Sequence, residues 1–241
     1  MKSSITLLKE AWALYTANAS LLSKIYIIPY LLMFAAVFLL AITGGASTFI
    51  SSREVGTLVF VFALFLFFIP VIFAQVLATI ALIQAIAFPN ETTVGSAYTT
   101  AKRFFWRYVL ISILLTLIIA TGLILLIIPG IIFALWFAFV YYVAILEDKG
   151  VVESLKASKA YVKGNMLEVF KKTAVITLLY AGISFVVLTP IGLILGSESF
   201  VLDIVDTAFT FVMVPVSLTY FYLLYSELKN IKEAKLQSEQ I

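Results

Sequence analysis

The sequence has 241 residues, 63% hydrophobic and 12% charged, with a mean hydropathy of +1.13. Soluble domains carry roughly 25% charged residues, and a soluble fold of this length does not hide so much apolar surface. Sixteen Lys and Arg against thirteen Asp and Glu leave a net charge of +3, which the topology below explains without a nucleic-acid partner, and none is expected. There is no cysteine for disulfides or thiolate chemistry and no histidine for a neutral-pH proton shuttle or a metal, so neither a cofactor nor a metal is expected.

The chain does not begin as a cleavable signal, because Lys9 and Glu10 interrupt any apolar core of one. Residues 3–22 read as an amphipathic helix. At about 100° per residue, Ile5, Leu8, Trp12, Tyr15 and Leu22 share one side, and Lys9, Ala13 and Ala17 the other. Such a helix suits the membrane interface.

A first span is expected over about 25–43, ending at Gly44 and Gly45 before a polar loop through Ser51, Ser52, Arg53 and Glu54. The second, about 57–85, exceeds the roughly 20 residues that cross ~30 Å of hydrocarbon, so it tilts or bends at Pro70. A second amphipathic segment, 93–106, precedes the third span, 107–128, in which fifteen of the twenty residues from Val109 to Ile128 are Leu, Ile or Val. Pro129 and Gly130 form a turn into the fourth span, 131–145, which Glu147 and Asp148 end. A third amphipathic helix, 151–165, leads to the fifth span, 173–188, stopping near Pro190. The sixth covers 207–225 and precedes a charged tail, 231–241; residues 1–230 form one membrane domain.

Fifteen of the sixteen basic residues fall on the side of this layout that holds both termini, and only Arg53 lies opposite. Segments facing the cytoplasm are enriched in Lys and Arg, so both termini are expected there, in the cell membrane. The patterns Asn18-Ala19-Ser20 and Asn90-Glu91-Thr92 then lie on the cytoplasmic side and are not read as glycosylation sites.

An offset of 147 positions matches Leu8, Lys9, Ala13, Asn18 and Lys24 with Leu155, Lys156, Ala160, Asn165 and Lys171, five identities in seventeen positions. Residues 93–107 repeat the pattern of an amphipathic helix entering a span but not the residues. The expected fold is therefore all-α: an integral membrane bundle of six transmembrane helices, arranged as three parallel units of interfacial amphipathic helix plus transmembrane hairpin.

One stretch carries a resemblance. Ile128-Pro129-Gly130 turns into the aromatic span around Trp136, Phe137 and Phe139; Glu147 follows, then Leu155-Lys156-Ala157-Ser158 and finally Gly164-Asn165. This resembles the membrane domain of glycerophosphoryl diester phosphodiesterases and related six-span bacterial and archaeal proteins of uncharacterised function. The specific motifs cover about forty residues, and the hydropathy layout matches throughout. Tyr141 and Tyr142 stand near the place where that pattern often has a proline. The resemblance implies the six-span fold in a bacterial or archaeal membrane. It does not imply hydrolysis, which belongs to a soluble domain that the sequence does not contain.

Four sets of residues are candidates for a role. Lys156, Lys159 and Lys163 share one helix face, suited to anionic lipid at up to ~1 kcal/mol per charge, or simply recording topology. Asp203 and Asp206 lie one turn apart near the outer start of the sixth span, where they can bind a cation or offset the positive helix end, with Ser197 and Ser199 as caps. Gln75 and Gln84 flank a stripe of Ala74, Ala78, Ala81 and Ala85 that suits close helix packing. Gly192 and Gly196 form a GxxxG pair near the surface.

Three functional classes fit. The first is a module without catalytic machinery that organises membrane lipids or docks another membrane or cytoplasmic protein. The alternative is a transporter or permease component, though the spans lack the midplane ionisable groups typical of one. An intramembrane enzyme lacks a nucleophile and base placed together. Oligomeric state is not legible in the residues.

Overall fold

The computed structural model describes residues 1–47, 53–196 and 199–238, so Ser51, Ser52 and Ser197 lie outside the described residues. Every regular element within them is an α-helix: α1 Ser4–Ala17, α2 Ala19–Ser47, α3 Arg53–Ala87, α4 Val94–Leu125, α5 Ile127–Trp136, α6 Val140–Leu146, α7 Val151–Val162, α8 Met166–Leu195 and α9 Phe200–Ser238. Six stretches are long and apolar enough to cross a bilayer, α5 and α6 together forming one of them. The chain is a multi-pass membrane protein.

Helix starts expose the repeat more clearly than residue identity does. Adding 147 to the first residues of α1, α2 and α3 gives the first residues of α7, α8 and α9. Burial keeps the same register: Leu7, Ala11, Tyr15, Leu22 and Ile25 correspond to Ser154, Ser158, Val162, Val169 and Lys172, and all ten are buried. The middle unit joins the pattern through its start, since the first buried positions fall three and seven residues into α1, α4 and α7 alike, at Leu7 and Ala11, Ala97 and Ala101, and Ser154 and Ser158. Small residues at five of these six positions, Leu7 being the exception, let the helices lie close against the preceding hairpin. α4 packs on α3, α7 on α6 and α5, and α1 closes the ring on α9.

Several boundaries differ from the sequence reading. The first amphipathic helix ends at Ala17 rather than residue 22, because Asn18 terminates it, donating from its side chain to the Leu14 carbonyl at 3.0 Å. Its buried stripe is Leu7, Ala11 and Tyr15; Ile5 and Trp12, expected on one side with Tyr15, are 65% and 50% exposed. Segment 93–106 is not a separate helix but the first three turns of α4, begun by a capping box between Thr93 and Ser96. α8 continues through Pro190 to Leu195, as transmembrane helices tolerate, just as α3 runs through Pro70 in the way the second span was expected to. The sixth span and most of the charged tail form the single helix α9.

The Pro129-Gly130 turn is also displaced. The chain reverses at Leu126, extended at φ −163° and ψ 142°, while Pro129 sits in the first turn of α5, where its missing N–H costs little. Gly130 serves close packing instead: a Cβ there would lie 2.5 Å from Leu123 Cδ2 and 2.9 Å from the Leu123 backbone nitrogen, and one on Gly122 would lie 3.0 Å from the Gly130 Cα. Gly130→Ala is expected to lower stability by about 1–3 kcal/mol, because backbone rather than a flexible side chain must shift. Thermal unfolding in detergent checks this against Gly182→Ala, whose added Cβ meets nothing within 4 Å; equal melting shifts would refute the packing account.

The fourth span is broken at residues 137–139. Ser158 of α7 satisfies the freed backbone, donating to the Trp136 carbonyl at 2.8 Å and accepting from the Phe139 N–H at 3.2 Å. A lipid-exposed break would leave those groups unpaired. The main core gathers near the ends of the helices that carry the basic residues, around Leu77 to Ile86 of α3, Phe139 to Ile145, and Val216 to Leu228 of α9.

Candidate functional site

At the basic end, the C-terminal turn of α7 meets the last turns of α9 around a cavity of about 540 Å³. Lys163, Lys232 and Lys235 line it, with Gly164 and Asn165 at its edge and Tyr161, Leu228 and Ile231 as its apolar wall. Local structure aims Lys163 inward, because α7 stops there and the chain turns at Gly164, whose φ of +93° favours glycine. Lys232 lies over the Tyr161 ring, its Nζ 5.2 Å from the centroid. None of the three lysines is in an ion pair among the described residues.

Glu147 holds the two walls together. Its Oε1 accepts from the hydroxyls of Tyr161 on α7 at 2.8 Å and Tyr225 on α9 at 2.5 Å, with Lys229 at 3.5 Å, while Oε2 pairs with Lys149 at 2.6 Å. The carboxylate side chain is only 9% exposed. Burial alone would raise its pKa, but the hydrogen bonds from Lys149, Tyr225 and Tyr161 and the charge of Lys229 together hold it below the ordinary carboxylate value. Burial, the bond to Glu147 and the nearby negative charge push the Tyr161 hydroxyl up, so it stays a donor. Beside it, Asp148, at φ +51°, accepts from Arg103 at 2.5 Å and Arg107 at 2.7 Å; the Arg107 bond is the main reason that its carboxyl is held low.

A second ionic contact lies deeper. The Lys172 Nζ, on a side chain 2% exposed, is 3.1 Å from Glu227 Oε2 on a side chain 14% exposed. The Lys2 backbone N–H also donates to Glu227, and the Tyr220 hydroxyl donates to the Lys172 carbonyl at 3.0 Å. Sequence reading treated Lys172 only as a topological charge and missed Glu227, which lies 55 positions away. The repeat contains the missing signal: Ile25 and Ile80 stand at the corresponding positions, both fully buried.

The other expected residues are placed as follows. Lys156, Lys159 and Lys163 are exposed, but only Lys163 reaches the cavity; Lys159 Nζ lies 3.8 Å above the Trp136 ring centroid. Lys232 and Lys235, set aside with the tail, complete the cluster. Ala78 and Ala81 are fully buried, Gln75 donates to the Tyr26 hydroxyl at 3.2 Å across to α2, and Gln84 Oε1 is buried without a hydrogen-bond partner among the described residues. Asp203 and Asp206 are exposed, and Asp203 stands in the first turn of α9. No group of three or more His, Cys, Asp or Glu that could hold a metal gathers among the described residues. A Cβ on Gly192 would face Leu202 of α9 at 3.6 Å, whereas Gly196 caps α8 at φ +89°, so the two glycines do different things.

Comparison of the chain with family models, with curated proteins and with solved structures found no match.

Proposed function

We propose that the protein is a membrane module without catalytic machinery that holds the anionic headgroup of a lipid among Lys163, Lys232 and Lys235, at the cytoplasmic face of the cell membrane of a bacterium or archaeon. The single observation supporting this reading is the convergence of three cations, without an acidic partner among the described residues, on an open cavity at the end of an apolar bundle. Lysines near an anionic leaflet contribute up to about 1 kcal/mol each. The excess of basic residues at this end supports its cytoplasmic placement.

The proposed kinship with the membrane domain of glycerophosphoryl diester phosphodiesterases is one of fold. Four parts of the resemblance have a structural task here: Gly130 in the α4–α5 approach, Glu147 between α7 and α9, Ser158 at the break in the fourth span, and Gly164-Asn165 at the α7–α8 joint. A motif made of joints supports a shared architecture, not a shared reaction.

In native mass spectrometry of protein taken from mixed phosphatidylcholine and phosphatidylglycerol bilayers, the wild type is expected to retain the anionic lipid. Substituting Lys163, Lys232 and Lys235 together by Ala is expected to weaken retention by about 2–3 kcal/mol. Retention unchanged by the triple substitution would reject the cavity as the headgroup site.

A further inference from the structure

We propose a second amphiphile site, separate from the lysine cavity: an apolar groove between α1, α8 and α9 that takes one acyl chain of a singly charged anionic lipid, with its headgroup held by Lys9. The groove encloses about 530 Å³, within the ~300–1,000 Å³ range of small-molecule pockets. Leu8 and Trp12 of α1, Ile176 and Ile183 of α8, and Met213 and Val216 of α9 form its walls. Ile176 and Ile183 are seven residues apart on one helix, so this wall runs about 10 Å along the span.

The gap follows from how α1 is seated. It docks through Leu7, Ala11 and Tyr15, mainly onto α9, which leaves Leu8, Lys9 and Trp12 on the flank facing α8. The sister joint in the third unit differs here: the position equivalent to Trp12 is Lys159, whose ammonium lies on the Trp136 ring of α5. At α1 the equivalent side chain instead borders open space.

Charge selects the occupant. Lys9 is the only charged residue lining the groove and is in no ion pair among the described residues. The adjacent carboxylate does not neutralise it, because Glu10 is taken by Lys2 at 2.8 and 2.7 Å. One exposed cation at the rim of an apolar slot matches one negative headgroup charge above one chain. A lysine stem lies along apolar surface while its ammonium stays in the polar layer.

The test uses the full chain in phosphatidylcholine bilayers carrying a trace of phosphatidylglycerol with a photoactivatable diazirine in the upper half of one acyl chain, within the reach of the groove. Crosslinks are expected to concentrate at Trp12, Ile183 and Met213, to fall about fivefold in Lys9→Ala, the weight of one lysine at an anionic surface, and to vanish from the groove in Ser217→Phe, which fills it. A phosphatidylcholine probe of the same chain is expected to label the groove as weakly as Lys9→Ala does. Substituting Lys163, Lys232 and Lys235 by Ala leaves this labelling unchanged, which separates the two sites. Labelling at Trp12, Ile183 and Met213 no stronger than at exposed Phe62 and Phe185 would overturn the proposal. So would equal labelling by the two probes, or labelling indifferent to both Lys9→Ala and Ser217→Phe.

Discussion

Glu227→Ile is expected to destabilise the protein by about 3–5 kcal/mol, whereas Lys172→Ile combined with Glu227→Ile is expected to recover most of that loss. The single change strands an ammonium on a side chain only 2% exposed. The double change removes the Lys172–Glu227 pair and its desolvation penalty, leaving the Met1 ammonium, 3.8 Å from Glu227 and 10% exposed, and the Lys2 N–H as the groups that lose a partner. It also places at both positions the residues that stand at the corresponding places in the first unit, Ile25 and Ile80, both fully buried. Unfolding in detergent by denaturant, measured for both singles and the double, gives the coupling directly. If the double variant is as unstable as Glu227→Ile, the pair is not an exchangeable substitute for two isoleucines, and the structural equivalence of the units fails at this point.

Glu147→Gln is expected to cost about 2–4 kcal/mol, because a neutral amide keeps the shape but loses charge-assisted bonds from two tyrosines and the attraction of two lysines. Since the folded state holds this carboxyl below its ordinary value of 4.5, its contribution is fully present above that pH. It is lost as pH falls through the lowered folded value. The stability difference between wild type and Glu147→Gln is therefore expected to be constant near neutrality and to shrink in acid, as followed by melting temperature across a pH series. A difference that stays the same at low pH would show that the charge is not what matters. The same substitution weakens the hold on Tyr161, the ring beneath Lys232, so headgroup retention at the lysine cavity is expected to weaken with it.

Hydropathy made the six crossings legible because each is a long apolar run. Their ends were harder to read, since in a membrane Pro190 does not have to stop a helix, and the bilayer leaves the continuing helix no better alternative. The Ala78 and Ala81 stripe was readable from spacing, because small residues on one helix face have few other uses there. The lysine cavity was half visible: Lys163 stood on a recognisable helix face, but Lys232 and Lys235 come from a stretch whose mixed charge gave no hint that α9 continues as a helix beside α7. The contacts of Glu147 and Lys172 join residues as many as 78 positions apart, and no local pattern encodes such a meeting.

The buried residues of α8 are Val169, Lys172 and Ile176, all within its first turns; beyond them this long helix meets α9 on one side, at Tyr180 against Phe209 and at Gly192 near Leu202, while the side bearing Leu178, Phe185, Val186 and Leu193 has no protein wall. Lipid tails supply that wall, and the splay of the far ends becomes a property shared between the protein and its host bilayer. A thinner or thicker sheet of hydrocarbon would re-tilt those ends at a fraction of a kcal/mol per Å, while the knotted base, with its lysines, keeps its form.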